Sequence, residues 1–350
     1  MGFRWVYVLL VLAAVAAAET SVKIVVSFPA YDKILREAFP DAEVILLTKN
    51  ATGDPHAYQL TVADLELLYS LTDRDVIVSS MHAPFELKIA ELAEEGKIKA
   101  KLIDVTKLQS YLTWDGELVK LEREHHHEHH GHEGHEEEHE GVNMHDHGLY
   151  PVNVFKLVQA VSEAAGLQPS PHFVEKLRQL NATYGGKFGG RAVAVTPAAQ
   201  YLLHWLGYRD IVVFIKEPGL PPTPQDLQKA LQYAREGAPV VAAVVRGEAL
   251  RVVDQFRQKA EEAGIQPRII IADFSKDYIA TLEEAAKEIA ALQSAPQTAA
   301  RDSAPQAAVR TDAPQTAAAA EAAQGIVGVV VLIAILAVAA ALLLLRRKKK

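Results

Sequence analysis

The chain of 350 residues contains no cysteine. Disulfides, thiolate metal sites and cysteine nucleophiles are therefore excluded, and any metal site must use His, Asp, Glu or water. Positive charge is in short supply. Against 44 Asp and Glu stand 36 Lys and Arg, for a formal net charge of −8. With no basic patch interleaved with aromatics, this argues against a nucleic-acid partner. One internal stretch also lacks apolar bulk. From Glu124 to His147 the sequence reads EHHHEHHGHEGHEEEHEGVNMHDH, and no large apolar side chain occurs before Val142. Such a segment cannot bury enough apolar surface to offset its ordering entropy, so a mobile, solvated loop is expected.

What the stretch does have is imidazole. His125, His126, His127, His129, His130, His132, His135, His139 and His145 are interleaved with carboxylates. Neutral imidazole suits Zn, Cu and Ni(II), and many equivalent donors make a weak, exchanging metal store. A cloning tag fits less well, because the run is internal and broken by Glu.

The two ends are apolar. Arg4 precedes the run Trp5–Ala18, which closes on Ala16-Ala17-Ala18 before Glu19. A charged start, an apolar middle and a small-residue end predict a secretory signal over residues 1–18. Gly325–Leu345 is long enough to cross a bilayer as a helix. Arg346-Arg347-Lys348-Lys349-Lys350 follows and should stay in the cytoplasm. Residues 293–324 repeat an Ala-Pro-Gln unit and read as a low-complexity tether, spanning on the order of 30 Å as a flexible chain. The body is thus expected outside the cell, held by a single C-terminal membrane helix.

Between these ends the hydrophobic pattern is α/β. Val22–Phe28, Ala42–Leu47, Asp75–Ser79 and Lys101–Val105 read as strands buried on both faces, with helices between them. Tyr111–Leu121 suggests a hairpin. Helices Pro151–Ala165 and Pro171–Tyr184 then link to a second α/β unit, with strands Arg191–Val195, Ile211–Ile215, Val240–Val245 and Arg268–Ala272. The expected architecture is a clamshell. Residues 19–150 form one lobe, 151–190 the link and 191–292 the other lobe.

In open parallel sheets, ligands sit at the carboxyl ends of strands. His56, His82 and Asp273 follow strands, and His147 closes the His-rich loop just before the helix that starts at Pro151, so each lies where a cleft would be. Three imidazoles and one carboxylate make a sound tetrahedral zinc set, although no pair among them forms a local motif such as H-E-x-x-H. Thr196, at the start of a helix in the second lobe, and His204, further along it, are weaker candidates. His172, beside Pro171, reads as surface.

Gly53-Asp54-Pro55-His56-Ala57-Tyr58, the acidic His-rich loop, the His147–Pro151 turn and the Asp273…Tyr278-Ile279 end together resemble the zinc/manganese-type (ZnuA-like) solute-binding proteins of ABC importers. The resemblance covers roughly residues 22–292. It implies a rigid two-lobed receptor, probing no substrate chemistry of its own, that captures a divalent metal and delivers it to a membrane permease. Zinc is implied first, with manganese or another divalent transition metal open. His56 matches the family's first histidine, His147 the second, with one residue fewer before Pro151, and Asp273 the late carboxylate. Thr196 stands where the third histidine belongs. His82 is expected to supply the missing imidazole from the first lobe.

Two other functions compete with this one. A zinc hydrolase would need a general base, and Asp54, Glu86 and Glu217 are available, but none lies in a catalytic motif. A surface metal store or adhesin-like protein would bind metal without meeting a permease. The chain is expected to be a monomer. Asn50 and Asn181 fit the glycosylation sequon.

Overall fold

Proline and β-branched residues set the punctuation. In the computed structural model, residues 21–51, 57–120, 141–217, 219–245 and 249–294 are described. The expected signal and membrane segment lie outside them, as do His56, residues 121–140 and the tether from residue 295 on, whereas residues 293 and 294 end a helix. Six helices begin with proline in the first turn, where its missing N–H costs nothing.

The first sheet contains β1 (Lys23–Val26), β2 (Glu43–Leu46), β3 (Val76–Ser79) and β4 (Lys101–Asp104), all parallel, in the order β2-β1-β3-β4. Helices α1 (Pro29–Ala38), α2 (Val62–Ser70) and α3 (Pro84–Glu94) make its connections. Three short antiparallel strands follow: β5 (Tyr111–Thr113), β6 (Leu118–Val119) and β7 (Val142–Asn143), in the order β6-β5-β7. The expected hairpin is therefore present, with a third strand added beyond the His-rich run.

Helices α4 (Pro151–Ala165) and α5 (Pro171–Tyr184) lead to the second sheet. There β8 (Arg191–Ala194), β9 (Asp210–Val213), β10 (Val240–Val244) and β11 (Ile269–Asp273) are parallel, in the order β9-β8-β10-β11. Helices α6 (Pro197–Leu206), α7 (Pro224–Arg235), α8 (Ala249–Glu262) and α9 (Tyr278–Ser294) complete this lobe. Both sheets thus share one strand order. Each reverses direction of travel between its first and third strands, and that switch point is where a crevice opens at the carboxyl edge.

Side chains along β1 divide by parity, as a period of two requires. Ile24 and Val26 join the largest apolar cluster, and Val25 joins a separate cluster with Leu68, Phe85 and Ile89 on the outer face. The largest cluster does not stop at one lobe. It runs from Ile24 and Val78 through Leu35, Val154, Leu157 and Leu177 to Tyr201, Val241 and Ile289. A third cluster, including Val193, Phe214 and Phe256, covers the outer face of the second sheet.

One part of the sequence expectation is corrected. Residues 142–143 form a strand and His147 opens a 3-10 turn, so this end of the expected loop carries regular structure. Gly141, at φ 90°, turns the chain into β7, and a 3-10 turn at His147–Leu149 follows. Val142 and Asn143 pair with Thr113 and Leu112 of β5. Among the described residues, no helix is long and apolar enough to cross a membrane.

A core shared by both lobes should unfold as one. Leu157 is fully buried in it, so Leu157→Ala is expected to cost about 2–5 kcal/mol. Urea melts followed by far-UV and near-UV circular dichroism should shift together. Separate transitions would show that the lobes are stabilised independently.

Candidate metal centre

At the switch point of the first sheet, the loop after β3 is organised by one carboxylate. Glu86, fully buried in the first turn of α3, accepts hydrogen bonds from the Ser80, His82 and Ala83 amides at 2.6, 2.9 and 2.9 Å. The Ser79 and Ser80 hydroxyls also donate to it, at 3.0 and 2.7 Å. Hydrogen bonds of this number satisfy both oxygens of a carboxyl group in a dry site. They also hold Met81 in the left-handed region at φ 52°, a conformation costing about 1–2 kcal/mol for a bulky side chain. The result is that His82 is presented to solvent, its backbone fixed and its ring exposed.

His147 is held differently. Its ring is 4% exposed. Nδ1 donates to the Met144 carbonyl at 2.9 Å, so in the neutral ring Nε2 is the acceptor, and Tyr31 Oη lies 3.1 Å from it. Tyr111 packs against the same ring with centroids 4.5 Å apart. Gly148 makes this approach possible, because a Cβ there would strike the Tyr31 ring. Burial pulls the His147 imidazole down to about 4. The Met144 carbonyl and the Glu86 carboxylate oppose that shift, whereas nearby His82 and His145 reinforce it. The three imidazoles therefore share one electrostatic neighbourhood.

The turn that carries His145 and His147 is pinned to the second lobe. Asn143 donates through Nδ2 to Gln200 Oε1 at 2.8 Å and to the Pro197 carbonyl at 3.0 Å. Gln200 Nε2 donates to the Thr113 carbonyl at 2.9 Å, and the Tyr201 hydroxyl donates to the Asn143 carbonyl. From α4, Asn153 Nδ2 donates to the carbonyls of Ser110 and His147 at 2.8 and 3.0 Å. Across the lobes, His145 Nε2 lies 2.9 Å from Glu217 Oε2.

The other sequence candidates are placed as follows. Asp273 ends β11 with its side chain one-third exposed. Its Oδ1 accepts from the Ser275 hydroxyl at 2.6 Å, and Lys276 Nζ is 3.5 Å from Oδ2. Partial burial pushes this carboxyl up, but Ser275 and Lys276 outweigh it and hold it below its ordinary value. Thr196 is committed elsewhere: its hydroxyl donates to the Ala243 carbonyl at 2.9 Å and accepts from the Ala243 amide at 3.0 Å, fastening β8 to β10. His204 is 7% exposed, with Nδ1 3.2 Å from Tyr150 Oη, and burial pulls it down to about 4. His172 is exposed. His56 and His125–His139 lie outside the described residues. Among the described residues, no three His, Asp or Glu side chains converge closely enough to enclose an ion. His82 and His145 are near enough to act on the charge of His147, and Asp273 is not brought into a ready-made cluster with them.

Sequence reasoning missed what Glu86, Glu217, Asn143 and Gln200 do. For Glu86 a signal existed, since Pro84 at the helix start with Glu two positions on is a capping pattern. For the others none did, because each partner is remote in sequence.

In the unfolded chain His204 would titrate near its ordinary 6.5, and in the folded chain near 4. Between those values the unfolded chain binds more protons. Stability is then complete above the upper value and drains away as pH falls toward the lower one. His204→Gln removes this proton sink and should flatten the loss by up to about 1.4 kcal/mol per pH unit. Urea midpoints across that window check it, and an unchanged slope would place the acid sensitivity elsewhere.

Comparison with known proteins agrees with this architecture. Residues 24–292 match the family model described as zinc-uptake complex component A, periplasmic. A zinc-bound ZnuA deletion mutant superposes with a TM-score of 0.51 at 18% identity, covering 79% of this chain and 99% of that one. A zinc-bound AdcAII variant from Streptococcus pneumoniae gives 0.51 at 16%, covering 77% and 98%. A further ZnuA crystal structure gives 0.50 at 16%, covering 78% and 100%. Identities this low establish a shared fold. Among curated proteins no match is found. With the family model spanning both sheets and the helices that join them, the chain belongs to the ZnuA family of periplasmic zinc-uptake components.

Proposed function

We propose that this chain is an extracytoplasmic receptor that captures a divalent transition metal, zinc first, between its lobes and delivers it to an ABC permease in the same membrane. The observation that supports it most is the fixed tautomer of His147. Its Nδ1–H is given to a backbone carbonyl, which leaves Nε2 as the donor atom for a cation. Burial keeps that ring neutral at physiological pH, so no proton competes for it.

In this reading His56, His82, His147 and Asp273 hold the ion. The cation displaces the Tyr31 hydroxyl from His147 Nε2, and the Glu86-bound loop brings His82 with little ordering left to lose. Asp273 exchanges Ser275 and Lys276 for the ion. The loop histidines, His125 to His139, form weaker sites that raise the local metal concentration. The signal at residues 1–18 exports the body, and the tether and the helix at 325–345 keep it beside the permease. No step of covalent chemistry is required of these residues, and the chain is read as a receptor, not an enzyme.

Calorimetry and metal analysis on the secreted body are expected to give one tight zinc site and several weak ones. Deleting residues 124–139 should remove only the weak ones. Zinc at a hundredfold excess over Kd should stabilise the fold by about 2.7 kcal/mol. His147→Ala should weaken the tight site, and tight binding that survives both His56→Ala and His147→Ala would refute the assignment. A strain lacking the chain that still takes up scarce zinc normally would favour a surface store over a transport receptor.

A further inference from the structure

Two phenols stand over the nitrogen through which His147 would meet a cation. A carbonyl only accepts, so the contact with Met144 puts the His147 proton on Nδ1 and the lone pair of the neutral ring on Nε2. That lone pair is already in use. The Tyr31 hydroxyl donates to it at 3.1 Å, and the Tyr111 hydroxyl lies 3.4 Å from the same atom. Neither phenol can drift aside into water, since Tyr31 is 2% exposed and Tyr111 is fully buried. Tyr31 is also held along its length. Its side chain belongs to the shared apolar core, and the Gly148 backbone lies so close against its ring that no Cβ would fit between them.

Building on the receptor reading, we propose that Tyr31 is a latch on the metal centre: its hydroxyl closes His147 Nε2 in the metal-free chain, and so sets both a threshold of affinity and the rate of capture. The latch needs no pre-assembled ion cage, because it is a contact between two side chains already in place. A cation that takes Nε2 must break this bond and leave a buried hydroxyl to find another acceptor. A buried polar group stripped of its partner lowers affinity by about 5- to 100-fold. Capture is slowed as well, since Nε2 is available only for the fraction of time that the hydroxyl is away.

The cost is the same for every cation, so the ratio of affinities between two metals does not change. All affinities fall together. Cations that bind imidazole weakly, such as Mg2+ and Mn2+, drop below useful occupancy, whereas Zn2+ and Cu2+, which bind it strongly, retain enough. Tyr31 thus decides which cations are worth holding without touching the ones that are held.

The test uses the full chain, with zinc affinity from chelator competition and association rates from stopped flow. Tyr31→Phe keeps the ring against Gly148 and removes only the hydroxyl. It is expected to bind zinc about 5- to 100-fold more tightly than the parent and to capture it faster. A hydroxyl with only a structural part would act in the other direction. Its loss would lower the melting temperature of the metal-free chain and leave zinc affinity unchanged or weaker. In the His147→Ala background, Tyr31→Phe should not change affinity, because its effect passes through that ring alone. If Tyr31→Phe does not fold, the ultraviolet resonance Raman tyrosine doublet of the parent, which reports phenol hydrogen bonding, decides the matter. Zinc should shift that doublet, and an unchanged doublet would overturn the latch. Zinc affinity of Tyr31→Phe equal to or below that of the parent, or a gain that persists without His147, would also overturn it while leaving the receptor reading intact. A parent chain with no tight zinc site would overturn both.

Discussion

The placing of the histidine-bearing segments depends on one apolar core passing through both lobes. Val154 and Leu157 of α4, Leu177 of α5 and Ile289 of α9 lie in the same cluster as Ile24 and Val78 of the first sheet and Val241 of the second. Hinged receptors keep two cores and a thin linker, so that closing costs little. Here, parting the lobes by any large angle would expose apolar surface at roughly 25 cal/mol per Å², which confines motion to small adjustments. The carboxyl edges of the two sheets are therefore placed during folding, and a ligand does not have to supply the energy of bringing them together.

Over that apolar floor lies a polar layer of hydrogen-bonded carboxamides. Asn143, Asn153 and Gln200 are fully buried, and their carboxamides bridge β5, β7, α4 and α6. A buried amide left without partners would cost on the order of 1–3 kcal/mol, so these bonds specify one arrangement among the compact alternatives. Glu86 performs the same service within the first lobe. It differs in being a carboxylate, and five donors from four residues, Ser79, Ser80, His82 and Ala83, satisfy its oxygens.

Much of the fold was legible because its signals are local. Continuous apolar runs gave the parallel strands. Proline and glycine gave helix limits that agree to the residue for Pro151–Ala165 and Pro171–Tyr184. The strand β7 was not legible, since two residues carry no periodicity and the histidine-rich composition before them masks the change at Gly141. The same masking grouped His145 with the loop. At the centre itself, residue types could be read but not their partners. His145 and Glu217 are 72 residues apart, and His147 and Tyr31 are 116 apart. Thr196 was placed correctly at a strand end, yet nothing in the sequence says that its hydroxyl is consumed by the neighbouring strand.

The start of α9 carries a mechanical consequence. Glu37 of α1 reaches across to accept hydrogen bonds from the Tyr278 and Ile279 amides, and the Tyr278 hydroxyl donates to the Leu149 carbonyl at 2.9 Å. The last helix of the second lobe is thus riveted to the first. A tug applied at Ser294 is shared by both halves of the body, and cannot peel the final helix away without also breaking its grip on α1.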